Sequence, residues 1–244
     1  MSHFDYKGFT KRRRPHLQPP RSNLFITFRL AGSIPQATVR RYRSQKSRLQ
    51  SQLSGALKLK ELGETSATEE FIRQLRSFSR EWFLKFEEIL DAARTGPMWL
   101  QNENVAQKVI ENLQRLDGKM LRLDAYCIMS NHVHTIFRPF LTDADLRPSV
   151  DDLGHSIFVS ELPGLAKIMQ SLKGRSAKEC NDILQRRGQF WEHESFDHVI
   201  RRGKFEKAVL YVLNNPVKAG LVSDWKEWRW SYCRKELCTA FRLQ

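Results

Sequence analysis

Apolar positions along the chain fall into short alternating runs separated by longer stretches of helical period. Residues 24–30 (LFITFRL) are dense in β-branched and aromatic side chains and predict a strand, which AGSIPQ then breaks. From 37 to about 93 the pattern predicts two helices. The first carries seven basic residues (Arg40, Arg41, Arg43, Lys46, Arg48, Lys58 and Lys60) and no acidic one. The second sets Phe71, Leu75, Phe78, Trp82, Phe83, Phe86 and Leu90 near helical spacing, and Glu69 and Glu70 favour a helix start in its first turn. An aromatic row of this kind reads as packing surface. The pair of helices reads as a hairpin lobe attached to the core, a candidate DNA-facing one.

A further helix is predicted over NENVAQKVIENLQRLDG, with Val105, Val109, Ile110, Leu113 and Leu116 on its apolar face and Gly118 as its stop. MLRLDAYCIM and HVHTIFRP then read as two strands of a hairpin. Residues 141–160 are polar and read as loop. LPGLAKIMQSLKGRSAKECNDILQRRG predicts a helix interrupted or kinked around Gly174, FWEHESFDHVIR an extended segment, and KFEKAVLYVLNN a helix ending at Pro216. DWKEWRWSYC is an aromatic tail suited to packing back on the body. No internal repeat is evident. The core order is strand, helix, strand, strand, helix, strand, helix. An α+β fold satisfies it: a ferredoxin-like antiparallel sheet with helices on one face, plus the helical-hairpin insertion at about 37–93. The expected organisation is a basic N-terminal arm (1–22), one domain (23–222) and an aromatic, basic C-terminal tail (223–244).

Composition narrows the class. At 41% hydrophobic and 28% charged, the 244 residues suit a soluble chain with a real core, and no apolar run approaches a spanning helix. The N-terminus lacks the apolar core of a secretion signal, so a cytoplasmic location is the expectation. Charge adds more: 41 Lys+Arg against 27 Asp+Glu give +14, which favours nucleic acid as a partner over a merely solvated basic surface. A membrane partner is disfavoured. Cys127, Cys180, Cys233 and Cys238 show no Cys-x-x-Cys pairing and read as reduced, structural thiols.

Candidate chemistry lies in two segments. In CIMSNHVHTIF (127–137), His132 and His134 sit two apart behind the turn-forming Ser130 and Asn131. Strand alternation sends both imidazoles to one side and Val133, Thr135 and Phe137 to the other. Such a pair suits a divalent metal, and suits equally two buried histidines bonded to backbone carbonyls. In LYVLNNPVKAGLV (210–222), Tyr211 and Asn215 lie one helical turn apart. They offer a nucleophilic phenol and a carboxamide ligand, or more plainly a tyrosine at the core's edge and an asparagine capping the helix.

Taken together, HVH on a strand and YVLNNPVKAGLV resemble the single-tyrosine transposases of the HUH superfamily, and within them the REP-associated tyrosine transposases. FWEHESFDHVI, PPRSNLFITFRL and GPMWL extend the resemblance over about 17–222, weakest across 37–93. The resemblance implies that His132 and His134 bind the metal, that Tyr211 is the nucleophile, and that Asn215 stands where such relatives place a third ligand, commonly Gln. It further implies Mg²⁺ or Mn²⁺ and no organic cofactor. The implied reaction is nicking and strand transfer on single-stranded DNA with short hairpins, through a 5′-phosphotyrosine. Insertion-sequence relatives act as dimers and REP-associated ones as monomers; the long insert and tail favour a monomer, with a dimer as the alternative.

Candidate DNA contacts are Arg12, Arg13 and Arg14; Arg40, Arg41 and Arg43; Arg201, Arg202 and Lys204; and Lys218. Glu192, His193, Asp197 and His198 could offer a proton acceptor for Tyr211, but the favoured reading is that they orient neighbours or contact DNA, and no role is assigned to them. Two other readings stay open: a non-catalytic DNA-binding regulator on this scaffold, and a metal-dependent nuclease using water. A two-metal carboxylate nuclease is disfavoured because no acidic cluster accompanies the histidines.

Overall fold

Most of the segments that read as strand or helix adopt that structure. The computed structural model describes residues 22–60, 66–140, 146–150, 156–160 and 163–243. Strand β1 (Leu24–Arg29) leads into the antiparallel helices α1 (Gln36–Lys60) and α2 (Ser66–Ala92), the expected insert. Then come α3 (Glu103–Leu116), β2 (Leu121–Ile128) and β3 (His132–Pro139). A short pair, β4 (Leu146–Val150) and β5 (Ser156–Ser160), precedes α4 (Pro163–Ile183), β6 (Phe196–Val199) and α5 (Phe205–Leu213). The short helix α6 (Asn215–Lys218), β7 (Ser231–Cys233) and α7 (Lys235–Ala240) close the chain.

The main sheet has the order β6-β1-β3-β2-β7, every neighbouring pair antiparallel. Without β7 this is the fourth-first-third-second order of a ferredoxin-like sheet, so the fold is α+β as expected. Alternation along β1 divides the interior into two layers. Leu24, Ile26, Phe28 and Leu30 enter a core with α3, α4, Val133, Phe137, Trp191 and Trp230. Phe25 points the other way, into a core with Trp82, Phe83, Phe86 and Leu90 of α2 and Val209, Val212 and Leu213 of α5.

Four expectations need correction. Helices cover both faces of the sheet: α3 and α4 one, α2 and α5 the other. The insert is therefore part of a core, with Trp82, Phe83, Phe86 and Leu90 all buried. Residues 146–150 and 156–160, read as loop, pair as antiparallel strands. Helix α4 runs unbroken through Gly174, where Leu165, Ile168, Leu172 and Cys180 bury its apolar face. That burial outweighs the roughly 1 kcal/mol that glycine costs a helix. Residues 1–21, most of the basic arm, lie outside the described residues.

Smaller features fix the frame. The Asn102 side chain accepts from the backbone N–H groups of Asn104 and Val105 and so caps α3; Gly118, at φ +74°, ends the turn beyond it. A register shift between Leu123 and Ala125 bulges β2 at Asp124, reversing which parity faces which core. Leu121 and Leu123 face the α3/α4 core before it, and Tyr126 and Ile128 after it. Asp124 is fully buried, held by Arg122 at 2.9 Å and Arg234 at 3.6 Å. Among the described residues no helix is long and apolar enough to cross a membrane.

Because α2 shares its core with the sheet, Phe86→Ala is expected to cost about 3–5 kcal/mol. The lower midpoint should appear in a single denaturant transition that fluorescence and circular dichroism report together. A separate low-stability transition confined to the insert would contradict the shared core.

Candidate metal and tyrosine site

The hairpin joining β2 to β3 turns through Ser130 and Asn131, closed by the Met129 N–H on the His132 carbonyl at 2.9 Å. From there β3 sends His132 and His134 into the layer beneath α2 and α5, both fully buried. Their Nε2 atoms stand 2.8 Å apart. Each ring is fixed from behind, His132 Nδ1 by Asn131 Oδ1 at 2.7 Å and His134 Nδ1 by Thr27 Oγ1 at 2.9 Å. Thr27 lies opposite His134 in the β1–β3 register, so the sheet itself sets this contact. The histidines are thus held by side chains, not by the backbone carbonyls of the plainer sequence reading.

Two carboxylates meet them. Asp91 Oδ1 lies 3.7 Å from His132 Nε2, and Glu87 Oε2 lies 3.3 Å from His134 Nε2. Glu87 also accepts the Tyr211 hydroxyl at 2.7 Å. An acidic pair therefore accompanies the histidines, contrary to the expectation that none would. The phenol's acceptor is Glu87, outside the Glu192, His193, Asp197 and His198 set. Of that set, Glu192 pairs with Arg29 at 3.4 Å, His193 is exposed, and His198 stacks on Phe25 with centroids 4.8 Å apart. Phe25 also meets His134 and Tyr211, each at 5.7 Å, forming the site's apolar wall.

Burial controls the protonation of this cluster. It holds His132 down to about 3 and His134 well below its usual range, the latter helped by His132 and Lys218. It pushes Glu87 up to about 8, with Asp91 adding to the shift, and Asp91 up to about 6. Lys218 is lowered, first by burial, although Asp91 and Glu87 oppose the shift. Its ammonium lies 3.7 Å from the centre of the Tyr211 ring.

The donor set fits a divalent ion. One donor atom from each of Asp91, His132 and His134 falls within 4.8 Å of the others. Ligands at about 2.1 Å from an ion and at right angles lie about 3 Å apart, close to the separation of the two Nε2 atoms. The bond to Asn131 Oδ1 puts the His132 proton on Nδ1 and a lone pair on Nε2. Where the Thr27 hydroxyl accepts from His134 Nδ1, two Nε2 lone pairs face each other across a gap that a cation would bridge; where it donates, the 2.8 Å contact is an Nε2–H···Nε2 hydrogen bond.

Asn215 is fully buried, and its Nδ2 donates to the carbonyls of Tyr211 at 2.7 Å and Val212 at 3.2 Å. This is the helix-capping role of the plainer reading. Its Oδ1 is buried with no hydrogen-bond partner among the described residues, which leaves a carboxamide oxygen available as a ligand. Of the basic candidates, Arg40, Arg41, Arg43, Arg201 and Arg202 are exposed and Lys204 is half-buried, while Arg12, Arg13 and Arg14 lie outside the described residues. Arg43 reaches Glu194 at 3.8 Å.

Glu87, Asp91, Thr27 and Asn131 were not singled out as site residues from the sequence, yet the acidic pair left a signal. Phe83, Phe86, Glu87, Leu90 and Asp91 follow the i, i+3, i+4, i+7, i+8 stripe of a buried helix face, so both acids fall among apolar positions.

No protein-family model matches the chain, and no curated protein does. Among solved structures, that of a REP-associated tyrosine transposase bound to a REP hairpin aligns with a TM-score of 0.43 and 14% identity, over 95% of this chain and 82% of that one.

His198, buried against Phe25, is held down to about 4 by burial, against an ordinary 6.5. Its folded value is the lower one, so its contribution is complete above 6.5 and is lost as pH falls through about 4. The loss amounts to up to about 3 kcal/mol. Urea denaturation across that window should show a shallower acid decline for His198→Phe than for the wild type, by up to one proton. Parallel declines would contradict the assignment.

Proposed function

We propose that the protein is a metal-dependent nickase and strand transferase for single-stranded DNA. It acts at hairpin or palindromic sequences through a 5′-phosphotyrosine, with Tyr211 as nucleophile. His132, His134 and Asn215 hold Mg²⁺ or Mn²⁺. The observation that carries this reading is convergence. The Tyr211 phenol and the His134 imidazole share one carboxylate, Glu87 Oε2, at 2.7 and 3.3 Å, although β3 and α5 are far apart in sequence. The resemblance of the HVH and YVLNNPVKAGLV segments to single-tyrosine transposases supports the same assignment.

When bound, a divalent ion supplies polarisation of the phosphate and stabilisation of the departing oxygen. The protein's own groups supply the rest. The phenol oxygen of Tyr211 attacks phosphorus, and the phosphorus–O3′ bond breaks. The 5′ phosphate stays on the tyrosine and a 3′-OH is released. In its ionised form, which a bound cation beside it would favour, Glu87 takes up the phenolic proton at Oε2, and that proton in turn becomes available to the leaving oxygen. The Lys218 ammonium, held over the ring, favours negative charge on the phenol oxygen. A phosphotyrosine ester conserves the energy of the broken bond, so attack by another 3′-OH reseals DNA without a nucleotide cofactor.

Exposed Arg201 and Arg202, with Lys204, open α5 and flank the nucleophile's helix, and exposed Arg40, Arg41 and Arg43 lie along α1. These groups would neutralise backbone phosphates. One observation favours a second reading. Glu87 and Asp91 beside the histidines are the carboxylates that a water-using nuclease needs, with Tyr211 then structural.

Labelled single-stranded hairpin oligonucleotides, incubated with Mn²⁺ or Mg²⁺ and run on a denaturing protein gel, separate the two. The expected product is a covalent protein–DNA band that chelator removes and that Tyr211→Phe reduces roughly 10³-fold or more. Cleavage without a band, undiminished in Tyr211→Phe, would select the hydrolytic reading.

A further inference from the structure

We infer that the helical insert is part of the metal centre. Asp91 of α2 completes the ion site begun by His132 and His134, with Glu87 one turn before it set against His134, so ion binding and docking of the insert on the sheet are one coupled event. This rests on the proposed metal role of the histidines, and it extends the ligand set to an element otherwise read as a packing lobe.

The i, i+4 spacing puts both carboxylates on the same face of α2 as Phe83, Phe86 and Leu90, whose burial seats that face on the sheet. Glu87 is itself only 4% exposed. Glu87 Oε1 and Asp91 Oδ1 are buried atoms without a hydrogen-bond partner among the described residues. Two acids one turn apart repel, and each loses its hydration on burial. Lys218 supplies one nearby positive charge. A divalent ion held by Asp91 and the two Nε2 atoms, whose donor atoms lie within 4.8 Å of one another, would occupy the unpartnered Asp91 oxygen and offset the charge of Glu87 beside His134. Mixed imidazole and carboxylate donors suit Mn²⁺ and Mg²⁺.

The coupling follows from connectivity. The histidines belong to β3 and the carboxylates to the insert, and residues 93–131 separate them in sequence. An ion bound by both sets ties α2 to the central strand. It therefore stabilises the docked insert by whatever affinity the insert's ligands contribute.

Mn²⁺ itself is the probe. Calorimetric titration should give binding to the wild-type chain, weakened at least about tenfold by Asp91→Asn and by Glu87→Gln, as by His134→Ala. Hydrogen exchange on the unmutated protein needs no variant to fold: Mn²⁺ should slow the amides around 84–92 of α2 along with those of β3. If His134→Ala abolishes binding while both carboxylate variants bind as the wild type does, and protection appears only on β3, the insert is no part of the centre although the histidine site stands. If the wild-type chain binds no Mn²⁺, the metal reading fails and this inference with it.

Discussion

Desolvation is the constraint on which this structure turns. Two imidazoles and a carboxylate are buried under α2 and α5, in a layer otherwise built of Phe25, Phe83, Phe86, Leu90 and Val212. Polar groups survive there only with partners fixed in advance. Asn131 and Thr27 supply them for the histidines, and Tyr211 for Glu87. The antiparallel register sets Thr27 opposite His134, and the hairpin turn sets Asn131 beside His132. Geometry that is costly in an apolar layer is thereby held by a pair of interior strands, β1 and β3.

The fold was legible where burial is periodic. The alternation of 24–30, the helical stripe through Val105 to Leu116 and the β-hairpin before Phe137 each read correctly, because the face each segment buries is written in its spacing. What failed to read depended on distant partners. Gly174 looked like a break because local propensity says nothing of the sheet waiting beneath Leu172. The polar stretch containing 146–150 and 156–160 gave no strand period, yet the two segments pair with each other. The second covered face went unread because whether a helical hairpin stands off or lies down is a matter of long-range packing.

The site was half legible. A strand's twofold period was enough to put His132 and His134 side by side, and one helical turn to relate Tyr211 to Asn215. Glu87 and Asp91 were hidden by their company. An aromatic helix face announces packing, and two acids on that stripe pass for solvated positions until the face is known to be buried. Thr27 was hidden for the opposite reason, as an ordinary strand residue whose role comes only from its opposite number in the register. Asn215 shows both sides of an ambiguity: its amide nitrogen caps the helix, and its carboxamide oxygen stays unused.

The strand order has a consequence for how the chain meets copies of itself. The two strands that carry Thr27 and the histidines are interior, and the edges of the five-stranded sheet are β6, of four residues, and β7, of three. Edges so short offer an incoming strand little ladder on which to grow. The sheet is thus poorly templated for end-to-end stacking, and a mutation that lengthened either edge would add an aggregation hazard without touching the chemistry.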